Sequence, residues 1–225
     1  MRPVIGIFGL VLAAILLVAV LSKVHPYNGT PPMADQEAQD AKDAADKKAA
    51  AKPPVPGVPS ADGAKAFDAV KEGAIRATLV VDGRGTIVME LYPKAAPKTV
   101  AHFVELIKSH FYDGTKFHRV EPGFVVQGGD PQSKNLDAAQ FKEKQIGTHG
   151  SGTTVPLEAK LPHLKNTIGL ARSNAEDSGD SQFYFNLNVN PSLDGKYCVF
   201  GKIVSGEDVP DKIQIGDKIT SFIVQ

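Results

Sequence analysis

The clearest patterning of apolar and polar positions lies in the last two thirds of the chain. In "IRATLVVDGRGTIVMELYP" two β-rich runs flank Asp82-Gly83-Arg84-Gly85, a tetrapeptide suited to a hairpin turn. The period then changes. In "APKTVAHFVELIKSHFYDG", Val100, Phe103, Val104, Ile107 and Phe111 recur at helical spacing and form one apolar stripe that calls for a sheet to pack on. Pro97 fits the first turn of that helix, and Gly114 lies just beyond its end. The later runs "NTIGLAR", "SQFYFNLNV", "YCVFGKIV" and "KITSFIVQ" are short, β-branched or aromatic, and bounded by turn residues. "GEDVPDKIQ" reads as one short helix with Pro210 near its start. Many short strands with two helices predict a mainly β domain over residues 75–225, an antiparallel closed β-barrel rather than a βαβ fold.

The first third has no such pattern. Val4 to Leu21 is an apolar run of 18 residues. As a helix it spans about 27 Å, near the thickness of a hydrocarbon core. No A-x-A cleavage pattern follows it, so residues 1–22 are expected to be an uncleaved signal-anchor; cleavage near Val20-Leu21-Ser22 would instead release a secreted protein. Arg2 favours a cytoplasmic amino terminus and Lys23 opposes it. The expectation is a domain anchored to the membrane on its extracytoplasmic, periplasmic or cell-envelope side. Residues 23–74 are rich in Ala, Asp, Lys and Pro and hold almost no large apolar side chain. Such a segment buries too little surface to offset its ordering entropy, and it reads as a flexible linker.

Composition narrows the function classes. Charged residues are 22% of the chain and the formal net charge is zero, so no basic excess points to nucleic acid. Cys198 is the single cysteine, and no Cys/His spacing resembles a zinc site. The six histidines are scattered and read as surface or ordinary core residues.

One stretch departs from a plain strand. "FHRVEPGFVVQGGDP" places Arg119 and Gln127 on either side of a Pro-Gly turn. Strand alternation puts Val125 and Gln127 on one face, but parity across the turn does not place Arg119 or Phe124. On the residues alone, Arg119 reads as a barrel-surface ion-pair partner, and Phe124 and Tyr184 read as core.

This stretch, with "GTIVMELYPKAAPKTVAHFVELIKSHFYDGTKFHRV" before it and "SQFYFNLNVNPSLDGKYCVFGKIVSGEDVPDKI" after it, resembles the cyclophilin family of peptidyl-prolyl cis-trans isomerases in its bacterial form. The resemblance runs in order from about residue 77 to 225. It implies an eight-stranded antiparallel closed barrel capped by two α-helices, with the active groove outside it. It implies that Arg119 is the catalytic arginine, with Gln127 beside it. Phe124 and Val125 match groove positions. Ala171 and Arg172, in "GLARS", match the groove edge that offers backbone to the substrate. Gln182 and Tyr184, in "SQFYFN", match the groove glutamine and the aromatic wall of the proline pocket. Leu193 and Tyr197 match the rest of that wall. Val125 stands where methionine is frequent, Tyr184 adds a hydroxyl expected at the pocket rim, and Ser192 replaces a frequent aromatic. Residues 133–149 form a loop extension.

The implied chemistry suits these residue types. Rotation about an Xaa-Pro bond faces a barrier of about 18–20 kcal/mol and breaks no bond, so no cofactor or metal is expected. The twisted transition state gives the proline nitrogen a lone pair, which a permanently charged arginine can meet with a donor. The expected partners are proline-containing unfolded or newly translocated polypeptides, handled by a monomeric catalytic domain. On the same residues the alternative is a proline-segment-binding scaffold with little turnover.

Overall fold

The computed structural model describes residues 60–225. The expected membrane helix at 1–22 and most of the expected linker lie outside the described residues. Among the described residues no helix is long and apolar enough to cross a membrane.

Eight strands form one antiparallel sheet: β1 (Ile75–Val81), β2 (Gly85–Leu91), β3 (Arg119–Glu121), β4 (Val125–Gly128), β5 (Thr167–Leu170), β6 (Phe183–Asn186), β7 (Cys198–Ser205) and β8 (Ile219–Val224). Their order is β3-β4-β6-β5-β7-β2-β1-β8. The β1–β2 hairpin closes as its turn residues predict, with Val81 opposite Gly85. Gly83 takes the left-handed conformation (φ 66°) that glycine adopts without strain.

Two expectations about the architecture need correction. The barrel is not closed by strand pairing: among the described residues no ladder joins β3 to β8. The segments leading into them meet at a single bridge between Lys116 and Lys218. Four backbone hydrogen bonds near it, such as Gly114 N to Ile219 O at 2.8 Å, hold this seam. The register explains this: with Lys116 opposite Lys218, β3 faces residues 213–215, before β8 begins, and the residues that face β8 lie in the turns of 109–114. The second capping helix is also absent. The segment around Pro210 forms one 3₁₀ turn, Pro210–Lys212, and the chain is extended again at Ile213.

Two α-helices are described, α1 (Ser60–Asp68) and α2 (Pro97–Lys108). Helix α2 buries Val100, Phe103, Val104 and Ile107, the apolar stripe read from the sequence. Phe111 follows the helix and packs half-buried on the core. Phe103 is the centre of that core, with the rings of Tyr112, Phe183, Phe200 and Phe222 at centroid distances of 5.0, 5.5, 4.8 and 5.6 Å. Helix α1 falls inside the stretch read as linker. Its one large apolar residue, Phe67, is buried in a satellite cluster with Tyr92, Ala95, Leu161 and Val199. Leu164 packs on this cluster, and the Cβ position of Gly63 would lie 3.0 Å from its Cδ1.

Candidate active site

Strand alternation builds two clusters from the same strands. Phe183 and Phe185 of β6 point into the core, whereas Tyr184 between them joins a separate cluster with Phe124, Val125, Leu193 and Tyr197. Likewise Val126 of β4 is in the core and Val125 is in the outer cluster. Ala171, just past β5, packs against this outer cluster. Six of the ten residues singled out in the sequence therefore form one contiguous apolar site on the outside of the sheet.

The polar residues line up beside it. Arg119 is directly opposite Gln127, Gln127 opposite Tyr184, and Tyr184 opposite Gly169. This cross-strand row answers the parity question that the Pro-Gly turn left open. Arg119 and Gln127 share a face, and Val120 packs on the core behind them. The Arg119 guanidinium carbon lies 6.0 Å from the Phe124 ring centroid, so the cation borders the apolar wall.

The two glutamines act on each other. Gln127 Nε2 donates to Gln182 Oε1 at 2.9 Å. Gln182 Nε2 donates to the carbonyls of Gly147 and His149 at 2.8 and 2.9 Å. Gln182 thus holds the end of the 133–149 extension. That extension is tied at both ends to the buried carboxylate of Asp130. This group accepts from Gln132 N at 2.8 Å and from Gly147 N and His149 N at 2.7 and 3.1 Å. The backbone N–H of Ala171 is also engaged, donating to Gln182 O at 2.9 Å. Arg172 stands at the edge, its guanidinium carbon 5.0 Å from the Tyr197 ring centroid and its Nε donating to Lys196 O at 2.9 Å.

The Tyr184 hydroxyl is not at the pocket rim. It points inward and meets His163 Nε2 at 2.8 Å, a buried contact. Gly169 makes this possible: a Cβ there would stand 2.3 Å from Tyr184 Cζ, so the cross-strand neighbour of this long ring has no side chain. Burial pulls the His163 pKa below its ordinary value, against Asp194, which raises it. His118, next to Arg119, is a second shifted group. Both its ring nitrogens are buried without a hydrogen-bond partner. Burial lowers its pKa to about 4; Arg119 adds to the shift, and Asp130 and Gln182 oppose it.

Sequence reasoning passed over His118, His163, Gly169 and the two buried amides Asn186 and Asn190. Asn190 Nδ2 donates to Phe124 O at 3.0 Å and to Asn186 Oδ1 at 2.7 Å, which fixes the backbone at the pocket wall. The motifs quoted above contain four of them, His118 in "FHR", Gly169 in "GLARS", Asn186 in "SQFYFN" and Asn190 in the run after it, whereas His163 lies outside every such motif.

An arginine thus borders an apolar, aromatic cluster and a glutamine relay on the outer face of the antiparallel sheet. Residues 76–222 match the family model for cyclophilin type peptidyl-prolyl cis-trans isomerases. A probable peptidyl-prolyl cis-trans isomerase of Brucella suis is 38% identical over 177 residues, covering 74% of this chain and 90% of its own. Peptidyl-prolyl cis-trans isomerase B of Bacillus subtilis is 41% identical over 149 residues, covering 65% and 95%. Among solved structures, a cyclophilin of Hirschia baltica aligns with a TM-score of 0.56 at 23% identity, over 66% of this chain and 73% of its own. A cyclophilin type isomerase of Cryptosporidium parvum aligns with the same TM-score at 22% identity, over 67% and 98%. The chain belongs to the cyclophilin family. Its activity is that of a peptidyl-prolyl cis-trans isomerase, which acts on proline-containing polypeptides.

Proposed function

We propose that the chain isomerises Xaa-Pro bonds of unfolded or newly translocated polypeptides outside the cytoplasm, as a monomeric domain tethered to the membrane by its first 22 residues. The apolar run at Val4–Leu21 and the polar stretch after it support the tether. The site supports a monomer, since one chain supplies every residue of it. In this reading the proline ring lies against Phe124, Val125, Tyr184, Leu193 and Tyr197. Arg119 directs a donor at the proline nitrogen as the amide twists. A donor that meets the lone pair only in the twisted state lowers the barrier without tightening ground-state binding.

The observation that carries this mechanism is the placing of Arg119 beside Phe124 and opposite Gln127. One charge-assisted hydrogen bond is worth about 1.5–3 kcal/mol, roughly ten- to hundredfold in rate. The test is NMR exchange spectroscopy on a short Xaa-Pro peptide with the full chain and its Arg119→Ala variant. Loss of about ten- to hundredfold in exchange rate with little change in peptide affinity is expected. An unchanged rate sinks the role of Arg119. Line broadening without cis–trans cross-peaks in the wild type marks a binding module instead. Alkaline washing of membranes separates an integral anchor, which stays in the pellet, from a released protein.

A further inference from the structure

We infer that His163 is a positioning residue of the proline pocket: it pins two of the pocket's walls to each other. This rests on the isomerase activity of the family and adds a residue to its site. The turn Pro191–Leu193 and the residues after it carry Leu193 and Tyr197, and strand β6 carries Tyr184. Among the described residues no strand pairing joins these two walls, and Asn190 ties the turn only to the end of β6, at Asn186. His163 joins them from a third segment. Its Nδ1 is 2.9 Å from Asp194 Oδ1, and its Nε2 is 2.8 Å from the Tyr184 hydroxyl.

The partners fix the proton. A carboxylate only accepts, so Nδ1 carries the hydrogen and donates to Asp194. Nε2 is then the acceptor, and the tyrosine hydroxyl donates to it. The neutral imidazole is the form that fits, and it is the form burial favours. The backbone of the same residue makes the grip tighter. His163 N donates to Asp194 Oδ1 at 2.8 Å, and Asn190 N donates to His163 O at 2.8 Å. Four contacts from one residue thus tie the 190–194 turn to the Tyr184 wall. The imidazole and the tyrosine ring also lie nearly parallel, 10° apart with centroids at 6.1 Å.

The segment that presents His163 is itself held. Leu161 and Leu164 pack on the satellite cluster under Phe67 of α1. The imidazole therefore stands on a buttressed platform, facing the back of the pocket. It does not reach the substrate side, and it exchanges no proton in the reaction. Its effect passes through Tyr184 and Leu193, which are shared by the planar and twisted amide. Loss of such uniform binding raises KM and leaves kcat nearly unchanged.

The test is a mutant cycle on the full chain, using His163→Leu, Tyr184→Phe and the double variant. Each is read by peptide exchange kinetics and by the Kd of the same Xaa-Pro peptide. His163→Leu removes the acceptor that His163 offers the buried Tyr184 hydroxyl and is expected to raise KM and Kd about tenfold with kcat within about twofold. Asp194 is not stranded, because its side chain is 40% exposed and water replaces the imidazole. Tyr184→Phe leaves Nε2 without its donor and is expected to raise KM by about three- to tenfold. In the double variant both partners are apolar, and it is expected to recover at least about half of the affinity lost in His163→Leu. A folded His163→Leu variant with unchanged KM and Kd overturns the inference, as does a double variant in which the two losses simply add. If His163→Leu does not fold, Tyr184→Phe decides alone: an unchanged Kd overturns, a raised Kd supports. A wild type without exchange would sink the isomerase activity, and peptide Kd would still read the pin.

Discussion

The inner and outer faces of the sheet are built from adjacent residues of the same strands, yet they are stabilised in different ways. Inside, Phe103 is surrounded by four aromatic rings, and the one polar atom they carry, the Tyr112 hydroxyl, donates to Ser181 O at 2.9 Å. Outside, five apolar side chains form a small cluster whose geometry is set by polar residues around it: Asn190 on the Phe124 backbone, His163 on Tyr184, and Gln182 on the 147–149 carbonyls. The inner face gives stability through burial, which is non-directional. The outer face needs a fixed shape, and directional hydrogen bonds supply it. Mutations should therefore separate the two faces by what they damage.

The largest effect is expected from Phe103→Ala. Truncating this ring removes contacts to Tyr112, Phe183, Phe200 and Phe222 at once. A loss of about 3–5 kcal/mol in a urea unfolding curve is expected, with exchange activity per folded molecule nearly retained. Arg119→Ala should do the reverse. Its rate loss is given above, and its stability change is expected to stay within about 0.5 kcal/mol, as for other surface positions. If Arg119→Ala unfolded the protein, or Phe103→Ala slowed the folded fraction, the division between the faces would fail.

The sequence carried the inner face better than the outer one. The stripe of α2 was legible because one residue's neighbours at helical spacing reveal which side it faces. The apolar members of the outer cluster were legible through motif resemblance. What joins them was not. His163 is 21 residues from the tyrosine it holds and 31 from Asp194, and a lone histidine carries no period. Gly169 owes its identity to a ring on the neighbouring strand. Helix α1 was hidden because a single buried phenylalanine in a polar stretch falls below any pattern threshold. The barrel seam and the Pro210 turn were misread for a shared reason. Proline and glycine fix where elements stop, but tertiary contacts decide how many residues they hold before stopping.

Acid offers a graded way to weaken the outer face. His118 is held neutral with a pKa lowered to about 4, and His163 is lowered as well, in each case mainly by burial. In the unfolded chain both take up a proton near the ordinary value of about 6.5. The unfolded state then binds more protons, so stability is full above pH 6.5 and falls as pH drops towards about 4. Asp180, whose pKa is lowered despite burial because His102 and Ser151 bond to it, adds a further loss below its ordinary value of 3.8. Urea midpoints measured from pH 7.5 to 4.5 should fall steadily, and a His118→Phe variant should flatten part of the slope. A midpoint independent of pH over that range would show that neither histidine is held neutral by the fold.

The smallest expected effect tests the comparison most finely, because it uses one substitution at two neighbouring positions. Val125 and Val126 are adjacent on β4, one in the outer cluster and one in the core. Val126 is enclosed by the core on its face of the sheet, and the extra volume of methionine has no exit. Overpacking there is expected to cost about 1–3 kcal/mol in unfolding free energy. Val125 is buried as well, at 2% exposure, but in the small outer cluster of five apolar residues beside Arg119. A flexible thioether adapts to irregular gaps, and a cluster of five side chains yields to it more readily than the core does. Val125→Met is therefore expected to change stability by less than about 1 kcal/mol. It should instead lower the peptide KM by about two- to threefold, since a longer side chain adds apolar contact to the proline ring. Equal destabilisation at both positions would mean that the outer cluster is packed as rigidly as the core, and that its polar pins merely decorate a jigsaw the apolar residues already determine.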